Sequence, residues 1–246
     1  MITITKEGLK ELKPLTGENK GSYGTCFLYE DDKILKAYSD TMPFYYNKRE
    51  IKRNIKNSLG IYVKDVSFPI DISLTYGYKF SYIMPYIEGI SFDELLNNLI
   101  NTEFNMSFDE FSYLYHYAIS KAYEIASFGI EMNDFHKNNC KIKDDFTIGI
   151  FDVDFYETKM IFNRFREKSL KYYNMLVINE AFHEMLSSFY NKKKKFISSK
   201  ENCYNLKRIY DIITNFPRNQ PTYVDDILVK LNDEIKKETI KDLIIR

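Results

Sequence analysis

The chain is short of the residues that mark several classes of protein. Its 246 residues include nine glycines, six prolines, three cysteines and no tryptophan. So few glycines and prolines argue against a fibrous, loop-rich or low-complexity chain. Cys26, Cys140 and Cys203 are widely spaced and odd in number, which excludes a disulfide framework and a Cys-x-x-Cys metal site. We therefore expect a protein of a reducing compartment.

Net charge and long apolar runs are also missing. Lys plus Arg and Asp plus Glu both number 35, which excludes a polybasic protein steered to nucleic acid or to an anionic membrane. Charge appears at Lys6 and Glu7, too early for the apolar core of a signal peptide. No stretch approaches the roughly 20 apolar residues of a membrane span. These absences predict a cytoplasmic protein with neither nucleic acid nor a membrane as its partner.

The length of the chain suits one large domain or two small lobes. Its hydrophobic fraction of 44% is enough for a sizeable core. In the first third, aromatic and aliphatic runs separated by turn residues predict strands. We expect a hairpin of strands 23–30 and 33–38, an amphipathic helix over 43–58, and two further strands over 69–75 and 79–83.

The pattern becomes helical after Gly89. Capping-box sequences stand at 91–94 and 107–110, and the second box opens a helix that we expect to end at Gly129. A hairpin of strands 140–142 and 147–151 should follow, and the periodicity from about residue 159 onward is helical, with breaks at Pro217 and Pro221. The predicted fold class is α+β, with a small strand-rich lobe over 1–84, a connector at 84–89 and a larger helical lobe over 85–246.

Glycines at the tip of the first hairpin suggest a phosphate site. Gly21 and Gly24 stand three apart, and glycine lets peptide N–H groups approach a phosphate closely. Such a pair is, by itself, more often an ordinary turn. Lys36 on the paired strand is a candidate ligand for phosphate oxygens, the alternative being a solvated strand lysine. Glu50, the only acid between residues 41 and 64, is its candidate partner, the alternative being a surface ion pair with nearby bases.

The segment after the long predicted helix carries most of the candidate chemistry. Asp134 and Asn139 stand five apart on a loop, and Asp152 ends the hairpin that starts just after Asn139. Hairpin geometry should therefore return Asp152 close to Asn139. An amide oxygen beside a carboxylate can hold Mg²⁺, whose remaining ligands are waters and substrate phosphates. Asp134 is then placed to accept a proton from an attacking hydroxyl.

Taken in order, these residues resemble the protein-kinase-like family. The family's signature set is a Gly-rich loop, a strand Lys, a helix Glu, a catalytic loop with Asp and Asn five apart, and a metal-binding Asp. The resemblance covers roughly residues 15–155. It implies a bilobal protein-kinase-like fold, with a small antiparallel-sheet N-lobe plus one helix and a larger, mainly helical C-lobe. It also implies a kinase that uses ATP and Mg²⁺.

The resemblance gives each residue a role. Asp134 is the implied catalytic base, Lys36 binds phosphates while paired with Glu50, and His136 either assists at the γ-phosphate or only hydrogen-bonds the loop. The implied metal ligands are Asn139 and Asp152. The connector is expected to read adenine through backbone groups. The implied nucleotide-binding residues are Gly21, Ser22, Tyr23, Gly24, Cys26, Lys36, Glu50, Pro85 and Ile87.

The sequence also departs from the family pattern, at Asn19, Met132, Asn133 and Asp154. Met132 and Asn133 replace the His-Arg pair before the catalytic Asp, so we expect no requirement for activation-loop phosphorylation. Asp154 stands where the metal motif usually ends in Gly. The sequence 152–154, together with His136, looks more like aminoglycoside and choline kinases.

Three functions remain open. The first choice is an ATP- and Mg²⁺-dependent phosphotransferase that acts on protein Ser or Thr, favoured by the connector and the Gly-rich loop. The second is a small-molecule kinase of the aminoglycoside or choline kinase type, favoured by residues 152–154, by His136 and by the absence of a later Ala-Pro-Glu. The third is a non-catalytic nucleotide-binding module, against which the joint presence of the catalytic and metal-binding residues argues.

Overall fold

The computed structural model describes residues 2–15, 24–39, 48–92, 94–95, 108–159 and 164–194. These ranges contain a mixed α and β structure with a large curled sheet. Its elements, in chain order, are β1 (Ile2–Ile4), α1 (Lys6–Glu11), β2 (Lys13–Pro14), β3 (Thr25–Leu28), β4 (Lys33–Tyr38), α2 (Lys48–Asn57), β5 (Asp71–Thr75), β6 (Phe80–Pro85), β7 (Ile90–Ser91), α3 (Phe108–Ser127), β8 (Ile130–Glu131), β9 (Cys140–Ile142), β10 (Ile148–Ile150), β11 (Glu157–Thr158) and α4 (Arg164–Lys194).

The first six strands form one sheet in the order β1-β5-β6-β4-β3-β2. Both hairpins predicted for this part are confirmed, since β3 pairs antiparallel with β4, and β5 with β6. Alternate side chains of β4 enter different cores. Ile34 and Tyr38 pack toward helix α2, whereas Leu35 and Ala37 lie in a core on the other face, against which α1 packs. The central strand is therefore covered on both faces.

The antiparallel sheet that the resemblance implies for the small lobe has one parallel pair, at its edge. Strand β1 pairs parallel with β5, with Ile2 opposite Ser73 and Ile4 opposite Thr75. No element before residue 23 is predicted from the sequence. Ile2, Thr3 and Ile4 alternate between apolar and polar, but so short a run does not distinguish a strand from a loop, and its partner lies far along the chain. Helix α1 did carry a local signal, because Thr5 Oγ1 accepts a hydrogen bond from the Gly8 N–H at 3.1 Å, which is an N-cap.

The helical part follows the sequence prediction closely where it is described. Helix α3 ends before Gly129, which has a positive φ of 76° and donates its N–H to the Ala126 carbonyl at 2.9 Å. That is the glycine stop expected at this position. Strands β9 and β10 form the predicted hairpin, and α3 packs along α4 around buried residues such as Leu114 and Phe182. Residues 107, 217 and 221 lie outside the described ranges.

A backbone junction ties the sheet to the β9–β10 hairpin. Ile150 donates its N–H to the Asp65 carbonyl, and Ser67 donates its N–H to the Ile150 carbonyl, each at 2.8 Å. Gly89 lies against β9, where an added Cβ would come within 2.6 Å of the Ile142 carbonyl oxygen. Only glycine fits this close approach at a φ of 130°.

In the ranges described, no helix has both the length and the apolar character needed to cross a membrane.

Candidate active site

The site is built around Lys36, in the middle of strand β4. Cys26 of β3 and Tyr82 of β6 are its neighbours across the sheet. The Lys36 side chain is buried, and its ammonium donates hydrogen bonds to carboxylates of both Asp152 and Asp154. The distance from Lys36 Nζ to Asp154 Oδ2 is 2.5 Å. A lysine on the sheet thus joins two carboxylates that follow strand β10.

Asp154 is fully buried and accepts hydrogen bonds from three donors. Besides Lys36, the hydroxyls of Tyr38 and Tyr82 donate to its two oxygens. Asp154 lies in a short 3₁₀ turn over Val153–Phe155, and Asp152 immediately before it has left-handed backbone angles, with φ 60° and ψ 49°. Such angles are uncommon for a residue other than glycine and cluster at functional sites.

The predicted pair between Lys36 and Glu50 was wrong. Within the described ranges, the carboxylates at ion-pair distance from Lys36 are those of Asp152 and Asp154. Glu50 on helix α2 is partly exposed, and its Oε1 lies 3.6 Å from Arg53. The physical reason is burial. A carboxylate that is fully removed from water needs a nearby cation, whereas a partly exposed Glu50 is also solvated by water.

The three charges of this cluster influence one another. Burial lowers the pKa of Lys36, but the Asp152 and Asp154 carboxylates outweigh that effect and hold its pKa well above the usual range, so Lys36 stays charged. Burial raises the pKa of Asp154, and the ammonium of Lys36 opposes this rise. Burial also raises the pKa of the Tyr82 hydroxyl, which therefore remains a donor. One positive charge faces two carboxylates.

The loop after β8 carries the predicted base and the first predicted metal ligand. The side-chain nitrogen of Asn139 donates to the backbone carbonyl of Asp134 at 2.7 Å. The carbonyl of Asn139 in turn accepts from the Phe151 N–H at 3.0 Å, so the residue before Asp152 lies against Asn139. The return of the hairpin toward Asn139 is therefore confirmed.

Asp134 itself is only partly buried, so it can be reached from solvent. Burial raises the pKa of Asp134, and the Asp152 carboxylate adds to this rise, while His136 and Lys36 oppose it. His136 Nε2 lies 3.9 Å from Asp134 Oδ1. Its other nitrogen, Nδ1, accepts from the Asn138 N–H at 3.2 Å, which matches the loop hydrogen bond that was one of its two predicted roles. In a neutral ring this leaves the proton on Nε2.

A buried hydroxyl near the two aspartates has no partner. Among the residues that the structure describes, Tyr156 Oη is the buried side-chain polar atom without a hydrogen bond. Burial raises the pKa of Tyr156, with contributions from Asp134, Cys140 and Asp152. A buried polar atom without a partner is costly in a folded protein, and such atoms are often found where a water, ion or ligand binds.

The far side of the loop is held by Asn174 of helix α4, which is fully buried. Asn174 Oδ1 accepts from the Met132 N–H at 2.9 Å. Its nitrogen donates to the carbonyls of Ala122 and Ile130 at 3.2 and 3.0 Å. One amide side chain therefore joins α3, β8 and the start of the Asp134 loop.

Of the remaining predicted nucleotide-binding residues, some lie within the described ranges and others lie outside them. Residues 21–23 are outside them, so the predictions at Gly21, Ser22 and Tyr23 stay predictions. Gly24 precedes β3, where an added Cβ would lie 3.1 Å from the Ala37 carbonyl. Cys26 is buried in β3.

The connector residues make close contacts. The Pro85 carbonyl accepts from Ser67 Oγ at 2.6 Å, which leaves one of its two lone pairs for another donor. Ile87 packs over Gly149, where an added Cβ would lie 2.2 Å from Ile87 Cγ2. Gly149 thus provides the space into which Ile87 fits.

Sequence reasoning missed the residues that support this site. The positions of Tyr38 and Tyr82 could have been inferred. Tyr38 is two residues from Lys36 on the same strand and so shares its face, and Tyr82 lies opposite Lys36 on the neighbouring strand. Asn174 and Tyr156 had no such signal, because a single polar residue within a helical or aromatic pattern does not reveal its partner.

Within the described ranges, no group of three or more His, Cys, Asp or Glu side chains could hold a metal ion.

Comparison with models of known protein families gave no match, and comparison with curated proteins likewise gave no match.

Proposed function

We propose that this chain has a bilobal protein-kinase-like fold and transfers the γ-phosphoryl group of ATP to a hydroxyl group, with protein Ser or Thr as the first candidate acceptor. The observation that carries the proposal is the convergence of Lys36, Asp134, Asn139 and Asp152 from separate segments. Lys36 is bonded to Asp152, and Asn139 is bonded to the Asp134 carbonyl and to the residue before Asp152. One hydrogen-bonded group thus contains a cation that can bind phosphate, a candidate base and two oxygen ligands for a metal.

The donor set fits Mg²⁺. The amide nitrogen of Asn139 is engaged by the Asp134 carbonyl, so its oxygen is the atom left for a metal. Asp152 uses Oδ1 for Lys36 and has a second carboxylate oxygen. Mg²⁺ prefers oxygen ligands and usually takes only one or two from protein, with waters and phosphates completing its shell. When bound, Mg²⁺ supplies neutralisation of the charge that develops on the transferring phosphoryl group.

Lys36 is suited to hold phosphate oxygens. An ammonium has three donors, and two of them serve Asp152 and Asp154, which leaves the third for a nucleotide. The pair of carboxylates exceeds the single positive charge of Lys36, so an anionic phosphate needs an additional cation to enter. Nucleotide binding should therefore depend strongly on a divalent cation.

Asp134 is suited to act as the general base. It is open to solvent, lies beside the proposed metal ligands, and has a pKa raised by burial and by Asp152. A raised pKa strengthens a carboxylate as a proton acceptor. In this proposal one carboxylate oxygen of Asp134 takes the proton of the acceptor hydroxyl while the hydroxyl oxygen attacks the γ-phosphorus. The bond between that phosphorus and the oxygen that bridges it to the β-phosphate breaks, and ADP leaves.

A small-molecule acceptor is the second candidate, and one feature favours it. The chain after Asp152 soon enters strand β11, which is paired with β8 through Glu157 opposite Glu131, and helix α4 begins at Arg164. Little chain is left between Asp152 and α4 for a groove that would bind an extended peptide. A small alcohol needs no such groove.

The test compares Asp134→Asn with Asp144→Asn, which changes an exposed carboxylate in the β9–β10 turn. Each protein is incubated with labelled ATP and Mg²⁺ and either a lysate or a panel of sugars, aminoglycosides and amino alcohols. We expect transfer to fall by roughly 100- to 10,000-fold in Asp134→Asn and to be unaffected in Asp144→Asn. Equal transfer by all three proteins would show that Asp134 is not the base. The acceptor that takes label distinguishes the two candidate functions.

The pH dependence of the wild-type rate gives a second check on Asp134. A base must be ionised, so a raised pKa moves the acid side of the rate profile to a pH above the usual Asp value of about 3.9. Transfer should therefore decline, as the pH is lowered, before an ordinary aspartate would be protonated. A rate that stays constant down to pH 4 contradicts the assignment.

The metal assignment is tested by heat stability. Mg²⁺ with ATP should raise the melting temperature of the wild type, and ATP with EDTA should not, because a ligand stabilises only the state that binds it. Asp152→Asn should lose this increase. An unchanged increase in Asp152→Asn would remove Asp152 from the metal site.

A further inference from the structure

We propose that Asp154, and not the helix residue Glu50, is the positioning residue that holds Lys36 for the nucleotide phosphates. This inference rests on the proposed function. It concerns a residue at which the sequence departs from the pattern of the family that it resembles. The observations that carry it are the contacts of Asp154, its burial and the position of its partners in the sheet.

Lys36 needs a group that fixes the position of its ammonium. A lysine is a point charge at the end of a flexible four-carbon chain, so it holds a phosphate well only if another group fixes the ammonium. Asp154 Oδ2 lies 2.5 Å from Lys36 Nζ. The carboxylate of Asp154 is fully buried, and it therefore cannot turn outward to exchange this contact for water.

Asp154 is itself fixed by hydrogen bonds from two tyrosines. Tyr38 and Tyr82 donate their hydroxyls to its two oxygens. Tyr38 stands two residues after Lys36 on β4, and Tyr82 is directly opposite Lys36 on β6. Lys36 and both donors thus lie on two adjacent central strands, a rigid support of the kind that keeps a site in its working geometry.

Asp154 differs from the carboxylates of Asp152 and Glu50 in its burial. Asp152 also bonds Lys36, but its side chain is partly exposed and is the proposed ligand of Mg²⁺, so its contact with Lys36 must change when a metal is held. Glu50 is partly exposed and lies near Arg53 on its own helix. Asp154 is the carboxylate that can hold Lys36 equally in the presence and absence of a metal.

The test compares Asp154→Asn with Glu50→Gln, which make the same chemical change at the two rival positions. We expect Asp154→Asn to raise the KM for MgATP by roughly 10- to 100-fold, the loss expected for a charge-assisted hydrogen bond. The KM of the acceptor should stay unchanged. Glu50→Gln should raise the KM for MgATP far less. A purely structural role would lower the active fraction, and hence kcat, without separating the two KM values.

Two further measurements keep the proposal testable if Asp154→Asn folds poorly or if no acceptor is found. Tyr82→Phe removes one donor to Asp154 and keeps the ring, and it should raise the KM for MgATP in the same direction. In ¹⁵N NMR of the protein without nucleotide, the ammonium protons of Lys36 should exchange slowly, because they are buried and bonded. This signal, assigned through Lys36→Arg, should be lost in Asp154→Asn and kept in Glu50→Gln.

The outcomes distinguish the two proposals. A wild type that transfers no phosphate to any acceptor would refute the proposed function, and the NMR signal would still decide which carboxylate holds Lys36. An active wild type in which Glu50→Gln loses the Lys36 signal and raises the KM for MgATP, while Asp154→Asn does neither, would overturn the role of Asp154 and leave the proposed function intact.

Discussion

Two polar clusters support the candidate site, one centred on strand β4 of the sheet and one on helix α4, and they differ in charge. The charged cluster consists of Lys36, Asp152 and Asp154 with the hydroxyls of Tyr38 and Tyr82. The neutral cluster is the side chain of Asn174 with the backbone groups of Met132, Ala122 and Ile130. Each joins segments that are distant in sequence, but only the first contains ions.

The charge of each cluster decides how it responds to its surroundings. A neutral amide bonded on both of its atoms fixes the loop before Asp134 and responds little to salt, pH or ligand charge. The charged cluster is sensitive to any change in its balance, because Lys36 and Asp154 have been removed from water and depend on each other and on the partly exposed Asp152. We therefore expect the sheet side to respond to the proposed nucleotide and cation, while the helical side keeps the loop in place.

The largest effect on stability should come from removing the cation of the charged cluster. Lys36→Met keeps the length of the side chain but leaves Asp154 buried without its positive partner. Breaking a buried ion pair in this way costs about 3–5 kcal/mol. Equilibrium urea unfolding of the wild type and the variant measures the difference.

A double variant sharpens this prediction. In Lys36→Met with Asp154→Asn, the uncompensated buried charge is removed, and the amide oxygen can still accept from one of the two tyrosine hydroxyls that donate to Asp154. Part of the lost stability should return. A double variant that is less stable than Lys36→Met would mean that Asp154 does not depend on Lys36 for its burial.

Breaking the neutral cluster should reduce the free energy of unfolding by less than breaking the charged cluster. Asn174→Leu leaves the buried Met132 N–H without its acceptor, and a buried group left unsatisfied costs about 1–3 kcal/mol. The loss should be the same at low and high salt, since no ion is involved. Asn138→Leu is the matched control, because Asn138 is exposed and a change there should stay within about 0.5 kcal/mol. A strong salt dependence in Asn174→Leu would contradict the distinction between the clusters.

The sequence predicted the elements that follow local rules. The hairpins around residues 31–32 and 144–145, the end of α3 at Gly129 and the return of the chain toward Asn139 all depend on turn residues, glycine backbone angles or strand pairing between neighbours. In each case the signal and the structure it specifies lie within a few residues. The convergence of Asn139 with the segment before Asp152 is likewise a consequence of a short hairpin.

The parts that were missed depend on distant partners. Lys36 and Asp154 are 118 residues apart in sequence, and nothing in the local pattern indicates that Asp154 would be buried against Lys36 in place of Glu50. Strand β1 finds a parallel partner in β5, and Asn174 acts through backbone groups of three other segments. Burial and long-range pairing select such contacts, and a sequence pattern reports neither.

The smallest expected effect on stability comes from the Tyr156 hydroxyl, which belongs to neither cluster. The test is whether its removal raises or lowers the free energy of unfolding. Tyr156 Oη is buried and, within the described ranges, unbonded, so Tyr156→Phe should raise the free energy of unfolding by about 1 kcal/mol by removing an unsatisfied group. Tyr115→Phe is the control, since the Tyr115 hydroxyl donates to Asn179 at 2.8 Å and its loss should cost about 1 kcal/mol. If MgATP supplies the missing partner of Tyr156, its stabilising effect should be smaller in Tyr156→Phe than in the wild type. Equal losses of stability in both variants would mean that the Tyr156 hydroxyl is already satisfied in the free protein, and that the space beside Asp134 and Asp152 is complete without a ligand.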